Sequence, residues 1–405
     1  MAVILLKIGL GLTSFYELLI KIFPFAGANT PDTRVGKIYI GMMLALAIGL
    51  AALFSGEIRA CKNKWLLILL FFIPISIHLS PQYEVILNGI PSPNYWVWKP
   101  FAMCLCYFLM FIAVQSLNIT KGMFKGIVEV MVLCGLAMSG YVLLQNFGWD
   151  QFFSKRLGNE FLQVTKPVTV GTLGNSTIVS PYIAMIIPFA LYLKRYWVAI
   201  VLICAVLVSH SNMAIGAMIV SLMAYSCLYG RARGRFWVLI AVFAVMAGVF
   251  TFITLSPEKF DKTFTKIVNT NGRIPVWKGI VKQMKDGEFG AGKQSYPYTG
   301  LGPGSYAILM VPALNTKFGQ AHNEYLQVFC EMGFIGLGLF LAAIWHMVKT
   351  ACGNLTPEIC VLLSSFLCIA LVALGTFIWQ IGPIIYLTVI VAGLLHNQNL
   401  LKGDI

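Results

Sequence analysis

GQAHNEYLQVFCEMG, residues 319–333, runs from a long polar segment straight into an apolar one. Asn323 has the chemistry of a helix cap, and Glu324 complements the positive end of a helix that begins there. The apolar run then continues past Phe340, and a membrane-crossing helix needs about 20 such residues. The rest of the chain supports this reading. Of 405 residues, 59% are hydrophobic and 11% charged, with a mean hydropathy of +0.81. A soluble domain carries roughly 45–50% apolar and about 25% charged residues. Only helices and closed barrels satisfy their backbones in hydrocarbon. The apolar runs here are continuous and do not alternate with period two, which favours helices. The expected fold is an all-α polytopic bundle.

Hydropathy predicts about twelve spans, roughly 3–22, 38–56, 64–79, 98–116, 126–146, 173–193, 196–210, 212–229, 236–255, 324–347, 358–376 and 379–397. The net charge of +14 is read by location rather than as a nucleic-acid footprint. Lys62, Lys121, Lys125, Lys194, Arg195, Arg231, Arg233 and Lys349 fall in even-numbered short loops, which places those loops and both termini in the cytoplasm. Two longer outer loops are also basic. One carries Lys155, Arg156 and Lys166. The other separates spans nine and ten and carries Arg273, Lys278, Lys282 and Lys285 among others. The expected organisation is therefore roughly 1–255 as spans one to nine, 256–322 as a large external loop, and 323–405 as the last three spans. Excess outer cations suggest an anionic ligand; a solvated basic loop is the alternative. The ten cysteines show no metal spacing and read as small core residues.

Within the large loop, RIPVWKGIVKQM places Ile274, Trp277, Ile280, Val281 and Met284 at helical spacing, with Lys278, Lys282 and Lys285 as a separate stripe. The spacing predicts an amphipathic helix on the outer membrane surface, with Arg273 at its start. His322 joins the loop to the tenth span, where an imidazole near its ordinary pKa of about 6.5 can accept a proton. A plain helix start accounts for the same residues. Glu324, Gln327 and Glu331 share one helix face, which suggests a polar cavity; a buried helix–helix hydrogen bond is the alternative. Gly302 and Gly304 in GLGPGSY let the backbone approach a neighbour closely. GTLGN, ending at Asn175, is a loop-to-helix signature. No metal motif is present and no cofactor is expected.

GTLGN (171–175), GRIPVWKG (272–279), GLGPGSY (300–306) and AHNEYLQVFCEMGFIGLGLF (321–340) together resemble the O-antigen ligase/polymerase superfamily. The resemblance implies a bacterial inner-membrane glycosyltransferase with a fold like the class-C enzymes. Such an enzyme inverts, needs no metal, and works at the periplasmic face. It implies an undecaprenyl-diphosphate-linked glycan donor, a lipid A–core or other glycan acceptor, surrounding membrane lipid, and no nucleic acid. It makes His322 the base or acceptor-positioning group and Arg273 a diphosphate ligand. The substrate-positioning set comprises Asn323, Glu324, Gln327, Glu331, Asn175, Gly302 and Gly304. A second family arginine, expected shortly before GTLGN, is not present; Lys166 and Arg156 are the nearest cations. Lysine lacks the bidentate fork of arginine. Ligase is the first expectation, polymerase the second, and a lipid-linked-anion transporter or flippase the third.

Overall fold

A computed structural model describes residues 2–14, 33–56, 61–79, 85–87, 90–92, 95–149, 171–173, 176–233, 273–286, 297–306, 310, 314, 320–376, 381–397 and 400. Their helices are α1 (Ala2–Ser14), α2 (Thr33–Phe54), α3 (Lys64–Leu79), α4 (Tyr95–Ser116), α5 (Lys121–Asn146), α6 (Ser176–Tyr192), α7 (Tyr196–Val208), α8 (Asn212–Arg233), α9 (Arg273–Asp286), α10 (Glu324–Cys352), α11 (Pro357–Val372) and α12 (Gly382–Leu395). Among the described residues the fold is all-α, with one two-stranded antiparallel ribbon between α3 and α4 that pairs Val85 with Ser92. Helices α5, α8 and α10 are long and apolar enough to cross a membrane, and eight shorter apolar helices accompany them. Apolar helices lie at eleven of the twelve expected positions. The ninth, 236–255, falls outside the described residues.

Helix α6 is the centre of the bundle. It packs against α5, α7, α8, α11 and α12, and every residue from Val179 to Ala190 is buried. A helix that is apolar all round has no solvent face to offer, so neighbours cover it on every side. Its few polar atoms are paired across helices. Ser365 donates to Met185 O at 2.8 Å, and Ser14 Oγ and Tyr182 OH share a 2.7 Å bond. The 3-10 turn Gly171–Leu173 is buried against this core. Gln145 Oε1 accepts from Gly171 N at 2.7 Å, and Thr172 Oγ1 donates to Ser14 O at 2.9 Å.

A second apolar cluster lies outside the bundle core. It joins Ile280 and Met284 of α9 to Leu301, Tyr306, Met310 and Ala321, and to Phe329 and Cys330 of α10. Helix α9 is therefore held on protein by Ile280 and Met284. Two of the five residues expected on its apolar face, Ile274 and Val281, point elsewhere and are 37% and 48% exposed. On the far side of α10, Met332 packs with Leu69, Phe72 and Ile73 of α3.

Helix α10 is broken at Gly333, where φ is 67° and ψ is −168°. A continuous helix would pair Phe334 N with Cys330 O and Ile335 N with Glu331 O. Here both bonds are exchanged for bonds to residues 297–302. Phe334 N donates to Pro297 O at 2.8 Å and Ile335 N to Tyr298 O at 3.1 Å. The vacated carbonyls of Cys330 and Glu331 accept from Leu301 N at 3.0 Å and Gly302 N at 2.8 Å. Four backbone groups that would be costly to leave bare are thus satisfied. Glycine is required at both contact points. A Cβ on Gly333 would fall 2.3 Å from the Tyr298 carbonyl carbon, and one on Gly300 would fall 2.3 Å from Met332 N. Ser76 of α3 holds the inserted segment from behind, donating to Thr299 O at 2.8 Å.

Candidate active site

Three elements meet at the C-terminal end of α11. Backbone carbonyls there lack helical partners and carry the negative end of the helix dipole. Ala373 O accepts from Glu324 N at 2.9 Å, Ala370 O accepts from Tyr325 OH at 2.9 Å, and Gly375 O accepts from Arg273 Nη1. The start of α9 and the start of α10 are thereby anchored to the same turn. Arg273 is half-buried. Its Nε is buried and has no hydrogen-bond partner among the described residues.

His322 is fixed from both sides. On one side, Ala321 O accepts from Trp277 Nε1 of α9 at 2.8 Å, and Ala321 N donates to Gln327 Oε1 at 3.3 Å. On the other, Asn323 caps α10, its Oδ1 accepting from Leu326 N at 3.1 Å. Between these anchors His322 adopts φ +51°, a left-handed conformation that side chains with a Cβ disfavour. Burial, with the Arg273 charge as the second cause, lowers the imidazole from its ordinary 6.5 to about 4. His322 and Arg273 are thus electrostatic neighbours. The imidazole is neutral at physiological pH, as a proton acceptor must be, but it is a weaker base than its unperturbed value implies.

Gln327 and Glu331 continue the network inward. Gln327 Nε2 donates to Glu331 Oε1 at 3.1 Å, and the Glu331 carboxylate also accepts from the backbone N–H groups of Gly304 and Tyr306. The amides of this Gly-rich turn are thus engaged by a side chain of α10. Gly302 likewise serves α10, through its bond to the Glu331 carbonyl. Of the expected substrate-positioning residues, Gln327, Glu331, Gly302 and Gly304 therefore bind protein, Asn323 caps, and Glu324 is buried at 3% exposure. Lys166, Arg156 and Asn175 lie outside the described residues.

Residues 197–341 match the family model for the O-Antigen ligase domain. Over these residues the chain is similar to the O-antigen ligase family. No curated protein matches the chain. The matched stretch begins in α7 and ends within α10, and it contains Arg273, Trp277, His322 and the break at Gly333. The GTLGN turn precedes it. Sequence reasoning did not mark Trp277 as a site residue. The available signal was an indole donor one helical turn after Arg273, at the boundary between the buried and exposed faces of the helix.

Proposed function

We propose that this protein is a glycosyltransferase that moves a glycan from a polyprenyl-diphosphate carrier to an acceptor hydroxyl at the outer face of a bacterial inner membrane, without a metal ion. The observation that carries the reading is the joining of Arg273 and His322, within the stretch similar to the O-antigen ligase family, on one helix terminus. The acceptor oxygen attacks the anomeric carbon as the bond to the diphosphate breaks, with inversion. The acceptor proton goes to His322, and the leaving charge is stabilised by Arg273. Donor binding also tunes the base. A diphosphate beside Arg273 offsets the cation that helps to hold His322 at about 4, so proton affinity rises when the donor is in place.

Ligase is the first reading and carrier-to-carrier polymerase the second; they share this chemistry and differ in acceptor. A transporter reading draws on the broken helix α10, since broken helices build ion and substrate sites in transporters. In this chain the freed groups at the break are already bonded to residues 297–302, which leaves them engaged with protein and favours the transferase. The deciding experiment supplies purified protein with a carrier-linked oligosaccharide and candidate acceptors. Release of carrier diphosphate with a new glycoconjugate on lipid A–core supports ligase, and a lengthened carrier-linked glycan supports polymerase. Export of intact donor without bond exchange overturns the transferase.

A further inference from the structure

The exposed side of α9 forms one wall of a shallow, largely open cleft of about 480 Å³, bounded by Trp277, Lys278, Val281, Lys282, Lys285 and Leu326. Lys278, Lys282 and Lys285 are exposed and stand at i, i+4 and i+7 on a single face. Like charges so spaced destabilise a helix by about 0.2–0.5 kcal/mol per pair. A face that was merely solvated would intersperse acids, yet this cleft has Asp286 alone at its end, and none of the three lysines makes an ion pair among the described residues.

The cleft is continuous with the site. Trp277, in its wall, is the residue that bonds Ala321 beside His322. Leu326, facing it, receives the Asn323 cap. We infer that this cleft seats an anionic, phosphate- or carboxylate-bearing segment of the acceptor saccharide, holding its hydroxyl toward His322. The inference rests on the transferase reading and deepens it. Lys278 and Lys285 lie five and twelve residues beyond Arg273, about 8 and 18 Å along the helix axis. A second substrate can therefore occupy the lysines while the donor diphosphate occupies Arg273. The indole of Trp277 offers a flat apolar face of the kind a pyranose ring covers. A lipid headgroup fits less well, because α9 buries Ile280 and Met284 in protein and leaves only Val281 and Ile274 as large exposed apolar side chains.

The test uses the full chain in neutral phosphatidylcholine nanodiscs, titrated with a phosphorylated oligosaccharide released from lipopolysaccharide and with the same sugar after phosphatase treatment. The triple variant Lys278→Gln, Lys282→Gln, Lys285→Gln is expected to bind the phosphorylated sugar roughly tenfold more weakly, the loss of three exposed charge contacts of ordinary strength. The triple Lys→Arg variant retains affinity, and phosphatase treatment removes the difference between variants. Equal binding by wild type and the Gln variant overturns the inference. So does a Gln variant whose only loss is affinity for nanodiscs containing anionic phospholipid, which would make the cleft a headgroup site. Binding needs no turnover, so the two readings fail separately. Normal transfer by His322→Ala would sink the base assignment and leave the cleft standing.

Discussion

Trp277 Nε1 donates to Ala321 O at 2.8 Å, and this bond ties the helix that begins with Arg273 to the peptide that precedes His322. The two groups assigned to donor and acceptor chemistry thus share a rigid link through main chain. Trp277→Phe keeps the ring and removes the donor. A typical intramolecular hydrogen bond contributes about 0.5–1.5 kcal/mol. The expected result is a several-fold loss in kcat with donor affinity unchanged, measured by steady-state kinetics and by equilibrium binding of the carrier-linked donor. A change confined to donor affinity would disconnect this bond from His322.

The acidity of His322 is the second test. With burial the larger cause and Arg273 the smaller, Arg273→Gln raises the imidazole from about 4 toward, but not to, its ordinary 6.5. NMR titration of labelled histidine reads this directly. Because the folded value lies below the unfolded one, the unfolded chain binds the extra proton between those two values. Stability attributable to His322 is therefore complete above about pH 6.5 and declines as pH falls toward 4. An unchanged titration in the Arg273 variant would show that the two groups are not coupled.

His322→Ala and His322→Gly both remove the imidazole, and both are expected to abolish transfer. They differ in backbone. Glycine tolerates φ +51°, whereas alanine bears a cost of about 1–2 kcal/mol there. Thermal unfolding should rank His322→Gly above His322→Ala. The reverse ranking would mean that residue 322 is not held left-handed.

Glycines in α10 should respond in opposite ways. At Gly338 a Cβ would meet nothing within 4 Å, whereas at Gly333 it would strike Tyr298 backbone at 2.3 Å with φ at +67°. Gly338→Ala is expected to leave stability unchanged or improve it slightly, since alanine is the better helix former by about 1 kcal/mol. Gly333→Ala should destabilise by several times that or prevent accumulation in the membrane. Comparable yields and melting temperatures for the two would argue against the break.

Glu331→Gln retains an acceptor oxygen for the amides of Gly304 and Tyr306, and Glu331→Ala does not. A buried donor left without a partner costs about 1–3 kcal/mol. The alanine variant should therefore melt well below the glutamine variant. Similar melting of both would mean that the Gly304–Tyr306 turn holds itself.

Apolar runs revealed where the helices lie, because helix position in such a chain depends on local composition. The register of α9 was less legible. Periodicity grouped Ile274 and Val281 with Ile280, but which of two overlapping faces is buried depends on Tyr306, Met310 and Phe329, which come from later in the chain. The pairing of Arg273 with His322 was implied by family resemblance alone, since α11 assembles it through carbonyls, which sequence does not encode by residue type. Glu324, Gln327 and Glu331 did share a face, but the partners of Glu331 are main-chain amides about 25 residues upstream, invisible to helical spacing. The break at Gly333 was hidden for the same reason: Gly336 and Gly338 stand nearby, and nothing local distinguishes a glycine that must be left-handed from one that need not be.

The exchange of hydrogen bonds around Gly333 has a practical corollary for anyone recombining this protein with a homologue. Neither the strip 297–302 nor the helix turn 330–335 is a self-sufficient part, because each completes the other's main chain. Chimeras cut between them inherit two mismatched halves of one interlock, so exchangeable modules must carry both pieces together.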